Sequence, residues 1–95
     1  MLIEQIRLEK GCALGLRFEM QKHSLLVIRA EKGFVMCGYL DIEAAEALGD
    51  TAARVKGVQN FEDVLKAQIV EVTQSARELG IEPGMTGRDA LEKMF

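Results

Sequence analysis

The spacing of apolar residues changes near residue 41. Before it the period is close to two; after it apolar residues recur every three or four. The clearest alternation runs over residues 14–20. Leu14, Leu16, Phe18 and Met20 share one face, and Gly15, Arg17 and Glu19 share the other. That pattern predicts a strand with one buried face and one solvated face. Residues 2–10 alternate in part and predict a first strand, with a turn at Gly11 and Cys12. Gln21, Lys22, His23 and Ser24 form a polar connection to a third strand, 25–30, which is apolar at nearly every position. Glu31, Lys32 and Gly33 turn the chain, Gly33 being able to adopt a positive φ. Residues 33–41 predict a fourth strand running straight into a helix cap. Its faces are Phe34/Met36/Gly38/Leu40 and Val35/Cys37/Tyr39. Neither carries a charge, so neither is expected to face bulk water. The four strands read as an antiparallel meander.

The second half reads mainly as short helices. Asp41 is placed to cap a helix over 42–48, because its carboxylate can accept from a backbone N–H left unpaired at the helix start. Gly49 ends that helix. Asp50 and Thr51 predict the cap of a second short helix, 52–56, stopped by Gly57. Asn60 predicts a cap for 61–66, with Asp63 three residues on, close to a capping box. Residues 68–72 are rich in β-branched side chains and predict a fifth strand. Thr73 opens a helix through Leu79, with Gly80 at its end. Thr86, with Asp89 three residues later, caps a last helix whose buried face is Ala90, Leu91 and Met94. The architecture expected is α+β: an antiparallel meander of about four strands plus one later strand, with three to four short helices on one face.

Composition narrows the functional classes. The 95 residues are 48% hydrophobic and 28% charged, which describes one folded domain, 1–95. Residues 1–40 are its β-rich part and 41–95 its helical part. A monomer of this size buries only roughly 60–65% of its unfolded surface, so association would relieve a thin stability margin. The net charge of −3, without any basic run, argues against a nucleic-acid partner. No apolar run approaches the roughly 20 residues needed to span a bilayer, and acid and base appear too early for a signal-peptide core. A cytoplasmic protein is expected, with no membrane partner. Strands three and four are apolar on both faces. The simplest cover for the second face is another copy of the same sheet, giving a symmetric dimer or tetramer.

Candidate chemistry is sparse. Cys12 and Cys37 fall in no zinc-ligand spacing, and a reducing compartment would keep them as free thiols. Cys37 is the catalytic candidate, a nucleophile or redox thiol. The competing reading is a small apolar residue inside a sheet. Cys37 lies roughly 13 Å of strand from the Asp41 cap, beyond the reach of the helix dipole. With the hairpin centred on Lys32, Cys37 would face Val27, and His23 would lie near Asp41, about four strand positions from Cys37. That separation argues against a Cys–His pair within one subunit. Asp41 is better explained as a cap than as a catalytic acid. The acidic pairs Glu43/Glu46 and Asp89/Glu92 have no histidine nearby and read as solvated helix faces. Thr86, Gly87 and Arg88 open the last helix and form a candidate anion site, without the glycine spacing or lysine of a P-loop. No cofactor and no metal is implied.

The run from Leu25 through Glu46 resembles the signature of the YunC-like family of small bacterial and archaeal proteins. Gly49-Asp50, the segment Phe61 to Leu65, Gly80-Ile81 and the stretch Gly84 to Leu91 resemble it as well. The resemblance covers nearly the whole chain and implies an α+β fold whose N-terminal β region mediates tetramerisation. It implies no activity, cofactor or catalytic residue, since the family is a domain of unknown function. Two functional readings follow. One is a homo-oligomer with a ligand-binding, regulatory or scaffolding role. The other is a thiol-dependent enzyme or redox protein using Cys37 at a subunit interface.

Overall fold

The computed structural model describes residues 1–95. Its first four strands are β1 (Leu2–Arg7), β2 (Cys12–Glu19), β3 (Ser24–Arg29) and β4 (Phe34–Met36), paired antiparallel in chain order. There follow α1 (Ile42–Leu48), β5 (Ala52–Arg54), α2 (Phe61–Lys66), β6 (Glu71–Val72), α3 (Gln74–Glu78) and α4 (Gly87–Glu92). β5 pairs parallel to β4 and β6 antiparallel to β5, so a single mixed sheet runs β1-β2-β3-β4-β5-β6. The α+β class and the N-terminal meander match the expectation.

Four local expectations are corrected. The first strand stops at Arg7 because the Leu8 N–H turns back to the Gly11 carbonyl at 2.9 Å. The fourth strand stops at Met36, since the Leu40 N–H folds back onto the Cys37 carbonyl at 3.3 Å. Residues 52–56 form strand β5 and its exit, not a helix. Ala52, Ala53 and Val55 are all fully buried, and a helix there would have left β4 unpaired on the edge away from β3. The fifth predicted strand shrinks to Glu71–Val72, the sixth in order. Gln68 instead makes an isolated bridge to Thr86, and the Ile69 N–H donates to the Met85 carbonyl.

The helix ends follow their sequence signals. Asp41 accepts from the Glu43 N–H, Asn60 from the Asp63 N–H, Thr73 from the Ala76 N–H and Thr86 from the Asp89 N–H. Gly49 closes α1 at φ 80°, where a side chain would be strained. Asp63 returns its carboxylate to the Gln59 N–H, one residue before the position a capping box would use.

The helices do not all lie on one face. α2, α3 and α4 cover the face formed by Leu26, Ile28, Val35, Cys37, Ala53 and Val55, and this is the main core. α1 covers the opposite face, and only at β4 and β5, through a small cluster of Met36, Ala45 and Ala52 flanked by Val27, Phe34 and Ile42. β4, α1 and β5 thus form a parallel crossover unit buried on both sides.

The alternation in β2 is seated the other way round from the usual arrangement. Ala13, Gly15 and Arg17 lie on the side of the main core, being register partners of Ala30, Ile28 and Leu26 on β3 or adjacent to them. Gly15 is what lets α2 approach. A Cβ there would lie 2.7 Å from the Ile6 side chain and 2.8 Å from the Phe61 ring. The apolar set, Leu14, Phe18 and Met20, falls on the face no helix covers, and each is about half exposed.

Further contacts hold the layers together. Thr73 is completely buried; its hydroxyl oxygen accepts from the Ala52 N–H at 3.1 Å and the Ala76 N–H at 3.3 Å, tying β5 to α3. The Glu92 carboxylate accepts from the Glu9 and Lys10 N–H groups and so fixes the β1–β2 turn to α4. At Gly87 the first turn of α4 lies directly on the Val64 carbonyl of α2.

A methyl group at Gly87 has no space, because the obstacle is backbone rather than a flexible side chain. Gly87→Ala is expected to cost about 2–3 kcal/mol, lowering Tm by roughly 10–20 °C for a chain of this size. Gly38→Ala serves as the control, since its nearest neighbours would be 3.9 Å and 4.0 Å away. Thermal melts followed by circular dichroism should separate the two; equal Tm values would show the packing of α4 on α2 to be misassigned.

Candidate functional site

A concavity lies at the carboxyl ends of the parallel strands β4 and β5, where open α/β sheets commonly place ligands. β4 delivers Cys37, Gly38 and Tyr39 to one side as the chain leaves the sheet. The segment after β5 delivers Gly57, Val58 and Gln59 to the other, and the start of β3 closes the end with His23 and Ser24. This open cleft has a volume of about 420 Å³, within the ordinary range for small-molecule pockets.

The β3–β4 register decides which residues meet there. The Ala30 N–H donates to the Gly33 carbonyl, so the turn has two central residues, Glu31 and Lys32. Val27 pairs with Met36 and Ile28 with Val35, one step from the register expected for a turn centred on Lys32. Cys37 therefore faces Leu26, not Val27. The Cys37 N–H donates to the Leu26 carbonyl at 3.0 Å, and the Leu26 N–H donates to the Cys37 sulfur at 3.3 Å. β4 also ends early, and its exit carries Tyr39 back towards the β2–β3 turn. His23, which strand spacing placed remote from Cys37, thus shares a cleft with it.

Cys37 is 3% exposed and Cys12 lies open on the surface. Cys37 forms part of the cleft floor while its bulk packs in the main core. Ser24 is held from behind: its hydroxyl oxygen accepts from the Arg17 Nε–H at 3.2 Å. No carboxylate lines the cleft. Asp63 is engaged by the Gln59 N–H and does not contribute to the lining.

A second depression continues from the first round the end of the sheet. Phe18, Met20 and Lys22 line it, and it shares His23 and Tyr39 with the first cleft. Near it, Glu19 is held below the usual carboxylate range by a backbone hydrogen bond, then by the Met1 ammonium group at 3.4 Å, with Arg17 at 3.9 Å adding to the effect.

The remaining sequence candidates lie elsewhere. Thr86, Gly87 and Arg88 sit at the start of α4. There the Gly87 N–H donates to the Ala67 carbonyl and the Asp89 N–H to Thr86, so both amides have partners within the chain. Asp41 is engaged as a cap. Glu46 accepts from the Gln74 N–H at 2.8 Å, and Glu92 from the β1–β2 turn. No group of three or more His, Cys, Asp or Glu side chains converges. Reading the sequence singled out neither Ser24, Tyr39 nor Gln59. The parallel β4–β5 pair was the signal that would have found them, and it was hidden by reading residues 52–56 as a helix.

Comparison with known proteins gives a consistent result. Residues 36–94 match the family model described as a domain of unknown function, DUF1805. The chain is similar to the uncharacterized protein YunC of Bacillus subtilis (strain 168), at 36% identity over 81% of this chain and 80% of YunC. It is also similar to the crystal structure of a protein of unknown function, TA1206, from Thermoplasma acidophilum. That likeness has a TM-score of 0.94 at 35% identity, over 99% of this chain and 92% of the other.

The burial contrast between the two thiols has a direct consequence. Maleimide added to the native protein is expected to label Cys12 within minutes and Cys37 at least about a hundredfold more slowly, because only an exposed thiolate reacts freely. Peptide mass mapping at timed quenches measures both rates. Comparable rates at the two cysteines would instead favour a reactive Cys37.

Proposed function

The chain belongs to the YunC-like DUF1805 family of unknown function, and we propose that it works as a cytoplasmic homo-oligomer assembled through its N-terminal sheet. The observation that carries this reading is the bare apolar face of β1 and β2. Ile3 is 57% exposed, Leu14 46%, Phe18 47% and Met20 50%, although β2 has the alternation of a strand with one buried face. Adjacent large apolar side chains rarely stay in water without a partner. The helices are already committed. α2, α3 and α4 lie on the other face, and α1 reaches only β4 and β5.

A second copy is the occupant that fits best. By strand register the face carries Ile3, Gln5, Leu14, Leu16 and Phe18 through its centre, with Arg7 and Arg29 towards one end. An uncharged centre can lie against itself across a two-fold axis without like charges meeting. Two such sheets stacked face to face would complete the sandwich that a single chain leaves half built. No helix of the chain is long and apolar enough to cross a membrane.

Light scattering during size-exclusion chromatography tests this at micromolar concentration. The expected mass is a multiple of 10.5 kDa. The double variant Leu14→Glu/Phe18→Glu should elute at the single-chain mass with an unchanged circular dichroism spectrum, since neither side chain is part of the chain's own core. A native mass of one chain would overturn the proposal.

A further inference from the structure

The cleft at the ends of β4 and β5 has a definite hydrogen-bonding character. Its side chains present several donors, and two of the lining groups have an acceptor lone pair already engaged within the chain. The Ser24 oxygen accepts from Arg17, which leaves the hydroxyl proton to donate inward. The Cys37 sulfur likewise accepts from the Leu26 N–H, leaving the S–H as a weak donor. Tyr39 and Gln59 add a phenol O–H and an amide NH₂ from the two sides. No carboxylate lines the cavity, and the Arg17 guanidinium lies directly behind Ser24.

The apolar part of the lining is equally placed. The Tyr39 ring and Val58 stand on opposite segments, with the Cys37 side chain at the floor. Gly38 and Gly57 keep the rim low; a Cβ at Gly57 would meet nothing within 4 Å. A cavity of about 420 Å³ with one apolar slot and several donors suits a small ring bearing an acceptor group.

We propose that this cleft is a binding site for a small organic acid, its carboxylate taken by the Ser24 hydroxyl and the Gln59 amide and its apolar body lodged between Tyr39 and Val58. The discrimination comes from the donor set. A carboxylate offers only acceptors and meets the donors of Ser24 and Gln59. An amide satisfies them in part. An amidinium finds no carboxylate in the lining to receive its charge. Every residue of the site belongs to one chain.

Benzoate, benzamide and benzamidine have the same shape and differ in the group presented, so they serve as probes. Saturation-transfer-difference NMR on the intact protein should give a saturable benzoate signal, a weaker one for benzamide and none for benzamidine. Ser24→Ala and Gln59→Leu should each weaken benzoate by about tenfold, the loss of one hydrogen bond to a charged partner. Leu48→Ala, exposed at the end of α1 and outside the cleft lining, should leave the affinity unchanged. The inference is overturned if benzoate shows no saturable signal, if benzamidine binds as well as benzoate, or if neither cleft variant changes the affinity. An oligomer that fails to bind benzoate would refute this site alone, and a monomer that binds it would refute the assembly alone.

Discussion

Burial of β4 and β5 on both faces is the constraint from which the rest of the structure follows. A strand hidden on both sides is expected to be apolar on both sides, and Phe34, Val35, Met36, Ala52 and Ala53 meet that requirement, while Arg54 at the end of β5 is paired with Glu71. Parallel pairing of two such strands needs a crossover, and α1 supplies it on one face. The other face is closed by α2, α3 and α4, anchored through Thr73 at the β5 edge. With four short helices all the covering material is used at that end of the sheet. What remains is a β1–β2–β3 apron with helices on one side only. The cleft arises from the same unit, because two parallel strands that end together leave their exit loops splayed around a gap.

Much of this was legible in the sequence, and the failures have a common cause. Helix starts were readable at Asp41, Asn60, Thr73 and Thr86 because a cap is a local event between a side chain and an amide two or three residues away. The meander was readable because hairpin strands are neighbours in sequence. Residues 52–56 were misread because alanine and arginine favour a helix when only local preference is counted. Their strand conformation is imposed by Phe34, Val35 and Met36, which lie across the α1 crossover. The register of β4 was misplaced by one step because two- and three-residue turns look alike at Glu31, Lys32 and Gly33. That step moved Cys37 from Val27 to Leu26. The early exit at Met36 then brought His23 into the cleft as well.

The alternation of β2 was correctly seen, and its usual meaning was inverted by the fold. An alternating strand is expected to turn its apolar side to the core of its own chain. Here the glycine side turns inward, because Phe61 of α2 needs the space that a missing side chain leaves at Gly15. A helix seated on Gly15 can pack close to the sheet, and the large residues Leu14, Leu16 and Phe18 are thereby sent to the opposite face. The half-buried strand predicted from the pattern therefore keeps its large apolar side chains about half exposed in this chain.

The bare face and the cleft are not independent surfaces. His23 and Tyr39 line the cleft on one side and the depression beside Phe18 and Met20 on the other. A second copy lying over Phe18 and Met20 would set the positions of both side chains, and a molecule in the cleft would do the same from within. Two binding events that restrict the same pair of side chains must be coupled, and thermodynamic linkage makes that coupling reciprocal. Its sign depends on whether the two events select the same arrangement of Tyr39. A shared arrangement tightens both, and a conflict weakens both by the same factor. His23 and Tyr39 line both depressions, so such a coupling would need no movement of the sheet.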